Sequence, residues 1–249
     1  MENTLHKEHG QLAIATITWA RQTDEENLLR EALTILSSFN VPVFITDGGS
    51  GESFIEFLYS LPNISLCQAE ATGLWPQVKS SLMAARQSGA SSILYTEPDK
   101  KIFFQFHLDS FLQAAKQQQY GVLLASRIAP AFSTFPPFQQ HCETTINYCC
   151  AEVTGKPFDY TYGPFLMNSE LVSPTEHLEP GAGWGWRPFV FCMAHRLGMG
   201  LQALPGPYEC PPDQRHDDPT ERIYRMKQLQ ESIKGIVAAT AVQMEWPPV

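Results

Sequence analysis

Positive charge is in short supply. Lysine and arginine number 17 against 26 aspartates and glutamates, for a formal net charge of −9. Such a surface repels nucleic-acid phosphates and anionic lipid, so neither is expected as a nonspecific partner unless a local basic cleft overrides the average. Also missing is an apolar run long enough to cross a bilayer. The opening segment, MENTLHKEHGQ, has neither the basic head nor the apolar body of a secretory signal, which makes the cytoplasm the expected location. The six cysteines, Cys67, Cys142, Cys149, Cys150, Cys192 and Cys210, include no CxxC pair. They read as reduced, mostly buried thiols, against a disulfide framework or a thiolate zinc site. No GxSxG elbow occurs, and no GxGxxG follows the first predicted strand. Hydrolase and dehydrogenase readings lose their usual signatures.

What is present is a globular composition, 43% hydrophobic and 17% charged over 249 residues, enough for one substantial core. The first eleven residues read as frayed. LAIATITW (12–19) then reads as a buried strand. From Asp24, the residues Leu28, Leu29, Ala32, Leu33, Leu36 and Phe39 recur at helical spacing, with Thr23 or Asp24 as cap and Asn40 at the end. VPVFITDGGS (41–50) is a second strand that turns sharply at Gly48-Gly49. Helices are expected over about 51–60, 75–87 and 101–116, and further strands at Ile64 to Cys67, in SILYTEPDK (92–100) and from Gly121 to Ser126. Nearly apolar strands alternating with helices imply a mostly parallel sheet covered on both faces, an α/β architecture.

The remainder is less regular. Residues 128–141 read as a proline- and phenylalanine-rich loop, INYCCAEVTG as helical, and FDYTYGPFLMNSELV as a short strand followed by a turn. A polar, glycine-rich passage covers 173–187. RPFVFCMAHRLGMG reads as a helix with Phe189, Cys192, Met193 and Leu197 inward and His195 structural. LQALPGPYEC is a strand entering a proline-rich loop. The last helix has Asp218 or Thr220 near its cap and an apolar stripe at Ile223, Met226, Leu229, Ile233 and Ile236. With no linker or repeat, a single domain over 1–249 is expected, divided into halves at 11–127 and 128–249.

In such a sheet, ligands gather outside the carboxyl ends of the strands, where the strand order reverses. Asp47, Glu97 and Asp99 all fall at predicted strand ends. In extended chain, residues two apart share a side, so Glu97 and Asp99 can face one ion while Pro98 stiffens the tip. Hard Mg²⁺ or Mn²⁺ favours carboxylate and phosphate oxygens, and it stabilises the charge that builds on a departing diphosphate. Lys100 contacts a phosphate or faces solvent. The plainer reading of the same residues is an acidic surface turn.

The order of ATITWAR (15–21), VFITDGGSGESFIEFL (43–58) and ILYTEPDK (93–100) resembles nucleotide-diphospho-sugar transferases of the GT-A type, of the glycosyltransferase family 2-like or mannosylglycerate-synthase-like kind. The likeness covers roughly residues 11–100. It implies a nucleotide-binding half over 11–127 and an acceptor-side half over 128–249. It also implies a nucleotide-diphosphate sugar as donor, a small hydroxyl-bearing acceptor, and Mg²⁺ or Mn²⁺ at an Asp-x-Asp-like motif. By that likeness Asp47 approaches the base of the nucleotide and Thr16 lines its pocket, with Glu97 standing where the family has its first Asp. A nucleotidyltransferase of related topology is disfavoured, because the first strand has no glycine-rich phosphate loop with a following arginine and lysine.

GAGWGWRPFVFCMAHRLG (181–198) resembles the family's acceptor segment. Its glycines let backbone approach a sugar, and Trp184 or Trp186 could form an apolar platform or pack between loop and core. Where inverting members carry an acidic base, this chain has Arg187, and Glu179 is the nearby substitute. The resemblance further suggests His216 as a third metal ligand beside Glu97 and Asp99, while Arg215 contacts a phosphate or pairs with Asp217 or Asp218. Arginine at the position of the base favours retaining transfer, or a protein of this fold that binds a nucleotide or sugar without turning it over.

Overall fold

The computed structural model describes residues 11–243. Seven strands form one sheet: β1 (Leu12–Thr18), β2 (Val43–Asp47), β3 (Ile64–Cys67), β4 (Ser92–Tyr95), β5 (Val122–Arg127), β6 (Phe165–Asn168) and β7 (Leu201–Gly206). Their spatial order is β3-β2-β1-β4-β6-β5-β7, and β6 runs antiparallel to both of its neighbours while the other pairings are parallel. The helices are α1 (Thr23–Ser37), α2 (Glu52–Ser60), α3 (Leu74–Gln87), α4 (Lys101–Phe106), α5 (Leu108–Ala115), α6 (Ala129–Phe132), α7 (Pro137–Thr154), α8 (Trp186–Arg196) and α9 (Pro219–Ala241).

The strands are mostly apolar because both faces are covered, with polar residues such as Thr18, Asp47 and Arg127 at their carboxyl ends. Side chains alternate along β1, so Ala13 and Ala15 enter one core with Trp75, Tyr95, Phe165 and Trp186, while Ile14 enters the other with Leu33, Ile45, Leu94 and Phe103. On the first face Trp186 stacks on Trp75 at 5.9 Å between ring centres and meets Tyr95 edge-on at 4.6 Å. That cluster ties the second half of the chain to the strand carrying Glu97.

Several local expectations change. The expected frayed start lies, apart from Gln11, outside the described residues. Neither Thr23 nor Asp24 caps α1. Gln22 occupies the cap position without a side-chain bond, and Glu25 reaches back to accept from the backbone N–H of Arg21 at 3.0 Å. Asn40, at φ +53°, does end that segment. The expected helix over 101–116 is broken at His107. Residues 128–141 hold α6 and the start of α7, because prolines are tolerated in a helix's first turn.

In α8, Phe189, Cys192 and Met193 are buried as expected, whereas Leu197 lies beyond the helix end, 44% exposed. His195 is exposed. In α9, Asp218 caps as expected, accepting from the N–H groups of Thr220 and Glu221. The expected stripe is buried only in part: Leu229 and Ile236 pack against the core, whereas Ile223, Met226 and Ile233 are exposed, and the small residues Ser232, Gly235 and Ala239 turn inward beside Ile236. The reason is steric. A Cβ on Gly235 or Gly185 would collide with backbone of the other segment, so α9 presses on the turn Pro180–Gly185 through its small residues.

Candidate functional site

The strand order turns back at β1, which lies between β2 and β4, so the crevice opens at the carboxyl ends of β1 and β4. Register brings Thr18 beside Asp47 and Ala15 beside Tyr95, placing both acidic tips on one edge of the sheet.

At the β2 tip the Asp47 carboxylate is an organising centre. Its Oδ1 accepts from the N–H groups of Gly49 (2.8 Å) and Ser50 (2.7 Å), and its Oδ2 from the hydroxyls of Thr18 (2.8 Å) and Ser50 (2.6 Å). Ser50 Oγ in turn accepts from the Ala20 N–H at 2.7 Å. Four donors use up the carboxylate's usual capacity, so Asp47 fixes the turn and leaves little of itself for a ligand. Thr16, expected to line the pocket, is fully buried inside the sheet. Trp19 is the aromatic residue that stands at this edge. It is 52% exposed, with the Arg21 guanidinium 5.1 Å from its ring centre. Gly48 packs against it so closely that a Cβ would lie 3.1 Å from Trp19 Cβ. The sequence places Trp19 at the end of the buried strand 12–19, but β1 ends at Thr18 and leaves the indole exposed.

At the β4 tip the two expected acids are present, and one of them has a partner that strand-end reasoning missed. Arg187, in the first turn of α8, donates through Nη1 to Glu97 Oε1 at 2.8 Å and through Nη2 to the Gly163 carbonyl at 3.2 Å. The two side chains are only 11% and 14% exposed. Gly163, at φ +135°, passes so close that any Cβ there would overlap Glu97 Oε2. Lys100 Nζ lies 3.9 Å from Asp99 Oδ1 and 5.5 Å from the Tyr162 ring centre.

Glu97 Oε2, Asp99 Oδ1, Arg187 Nε and the Tyr95 hydroxyl are buried atoms without a hydrogen-bond partner. Four of them around one strand end leave hydrogen-bonding capacity there that the described residues do not use. Burial first, and then the Glu97 carboxylate, push the Tyr95 hydroxyl well above its ordinary range, so it remains a donor.

The residues expected to hold a divalent ion do not assemble. Among the described residues there is no group of three or more His, Cys, Asp and Glu side chains placed to bind a metal. His216 is exposed on its loop. Arg215 donates to the Cys210 carbonyl and to neither Asp217 nor Asp218; Asp217 pairs with Arg222. An ion between Glu97 and Asp99 would stand beside the Arg187 guanidinium. Glu97 is already neutralised by Arg187 at 2.8 Å, and Asp99 has Lys100 at 3.9 Å, so little carboxylate charge is left over for an ion. As arranged, the site does not fit the ion.

On the expected acceptor side, Trp186 is fully buried and is a packing residue. Trp184 is partly exposed and is held by Tyr224, whose hydroxyl accepts from its Nε1 at 2.9 Å. Glu179 is exposed, and its side chain joins no ion pair or hydrogen bond among the described residues. The carboxylate facing this segment is Glu231, which accepts from the Trp184 N–H at 2.9 Å. Gly183 and Gly185 make room for Glu231 and its backbone, not for a sugar.

A second ionic cluster supports the site from behind. Buried Arg127, at the end of β5, donates to Asp159 (2.7 Å), Glu143 (2.6 Å) and Thr161 (2.7 Å). Burial alone would raise the Asp159 carboxyl, but Arg127 outweighs it and holds it down at about 2. The cluster pins the loop carrying Tyr162 and Gly163. A groove of about 470 Å³ between α1 and α4 is lined by Arg30, Glu31, Thr34, Ile35, Lys101 and Gln105, none of them a member of the strand-tip group.

No family model matches the sequence, and no curated protein is similar to it in sequence. Solved structures are similar in fold. Glucosyl-3-phosphoglycerate synthase from Mycobacterium tuberculosis, in complex with Mn²⁺, UDP-glucose and phosphoglyceric acid, matches with a TM-score of 0.64. Identity is 11%, over 94% of this chain and 81% of that one. Mannosyl-3-phosphoglycerate synthase from Rubrobacter xylanophilus matches with a TM-score of 0.61 at 11% identity, over 96% of this chain and 78% of that one. The chain thus has the GT-A-like fold, a mostly parallel sheet flanked by helices.

Proposed function

We propose that this chain binds a nucleotide-diphosphate sugar across the carboxyl ends of β1, β2 and β4 and transfers the sugar to a small hydroxyl-bearing acceptor. The observation that carries the reading is the meeting of Glu97, Asp99, Lys100 and Arg187, with orphaned buried polar atoms, at the switch point of this sheet. Support comes from the fold neighbours, whose structures hold UDP, UDP-glucose and phosphoglyceric acid. The base stacks on Trp19 beside the Asp47 turn, and the diphosphate faces Lys100 and Arg187. Asp99 accepts from a hydroxyl of the donor.

Arginine cannot serve as a base at any pH the fold survives, and Glu179 is exposed, with no hydrogen bond or ion pair to the strand-tip residues. Retaining transfer therefore suits these residues best. The bond from the anomeric carbon to the diphosphate breaks, a bond to the acceptor oxygen forms on the same face, and the acceptor's proton passes to the departing phosphate oxygen. The resemblance implies Mg²⁺ or Mn²⁺, but no step is routed through an ion that the residues do not fit.

The test is release of nucleoside diphosphate from UDP- and GDP-sugars, with and without phosphoglyceric acid. Turnover is expected for one donor, falling about 100-fold in Asp99→Ala. A second reading, a noncatalytic nucleotide- or sugar-binding protein, is favoured by the locking of Glu97 to Arg187. Saturable nucleotide binding with no donor hydrolysis would select it.

A further inference from the structure

We infer that Arg187 and Lys100 together supply the positive charge that a divalent ion would bring to a pair of strand-tip carboxylates, so that this site binds a nucleoside diphosphate without metal. The inference rests on the nucleotide-sugar reading above and specifies how its phosphates are held.

Charge and geometry both lead there. Glu97 and Asp99 carry two negative charges, and Arg187 and Lys100 carry two positive ones, the same sum that two carboxylates make with one divalent cation. Arg187 is not an incidental surface cation. It is mostly buried, fixed by Glu97 at 2.8 Å and by the Gly163 carbonyl at 3.2 Å, and seated in a helix packed through its neighbour Trp186 onto Tyr95 of β4. Two of its five N–H donors are engaged there. Its Nε is buried and unpartnered, and one further N–H remains on each terminal nitrogen.

A guanidinium offers paired donors whose spacing matches phosphate oxygens, and it cannot lose its charge. Lys100 adds a point charge beside Asp99. In this arrangement Glu97 is a positioning residue: it aims Arg187 and does not itself hold an ion.

The test is calorimetric titration of the whole protein with UDP, and separately with GDP, in EDTA and then in excess Mn²⁺, accompanied by electron paramagnetic resonance of Mn²⁺ with the protein alone. We expect one nucleotide to bind in EDTA with no gain on adding Mn²⁺, and no tight Mn²⁺ site on the wild-type chain. Affinity in EDTA should fall roughly 10- to 100-fold in Arg187→Gln and in Lys100→Gln. Lys100 is the more exposed of the two, so its variant keeps the test intact if Arg187→Gln misfolds.

Glu97→Gln separates the alternatives by sign. Removing a negative charge beside the phosphates tightens binding if Glu97 only positions Arg187, and it weakens binding if Glu97 is a metal ligand. Binding that appears only with Mn²⁺ overturns the inference and leaves the nucleotide reading standing. Binding in EDTA that survives both cation substitutions also overturns it. No nucleotide bound under either condition overturns both.

Discussion

Arg187 and Glu97 are 90 positions apart in sequence, and each is misread alone. Glu97 at a strand end reads as a metal ligand, and Arg187 after a tryptophan reads as a base that is missing. Placed 2.8 Å apart, they neutralise each other and change the chemistry open to both. The acids at the β4 tip were legible because a strand places them; their partner was not, because only the packing of Trp186 brings α8 onto β4.

Asp47 shows the complementary limit. Its position at the β2 tip was readable, but its four hydrogen bonds were not. Asp47→Ala should cost about 2–3 kcal/mol in urea denaturation, since it strands the donors of a tight turn. Gly163→Ala meets both an unfavourable φ and Glu97 Oε2. We expect it to lower stability by roughly 1–3 kcal/mol and to weaken nucleoside-diphosphate binding in the same preparation. Lost stability with unchanged binding would detach Gly163 from the site.

Among the elements, β1 to β4 and α1 to α3 follow the sequence closely, because long apolar strands and well-spaced helical faces leave little choice. The second half departs from its pattern wherever backbone approaches backbone. Helix α9 carries Ile223, Met226 and Ile233 outward and packs through Gly235, Ile236 and Ala239, since only glycine allows it to reach the turn holding Trp184 and Gly185. Periodicity finds a stripe but not which stripe is buried when two are available. Gly235→Ala would force that contact apart, and we expect a loss of about 1–3 kcal/mol in thermal or urea melts. An equally stable variant would contradict the packing described.

Across the whole molecule, the sheet gathers Asp47, Glu97 and Asp99 at one edge, and a buried ionic cluster braces the loop beside it. Asp159 is held at about 2 in the fold against an ordinary value of 3.8, so its stabilising contribution is complete above about pH 4 and is lost as pH falls toward 2. The corresponding stability is about 2 kcal/mol. Acid denaturation of Asp159→Asn should therefore be shallower over that window than that of the wild type. The fold class and the strand-end placement of Asp47, Glu97 and Asp99 were legible from strand and helix alternation, whereas this cluster was not, since Arg127, Glu143 and Asp159 converge only after β5, α7 and the following loop have packed.

The most direct measurement is a crystal structure of the protein soaked with both Mn²⁺ and the nucleoside diphosphate it binds. We expect phosphate oxygens within hydrogen-bond distance of Arg187 and Lys100, with the Arg187–Glu97 pair intact. Manganese bridging Glu97 and Asp99, with Arg187 displaced from the strand end, would contradict it.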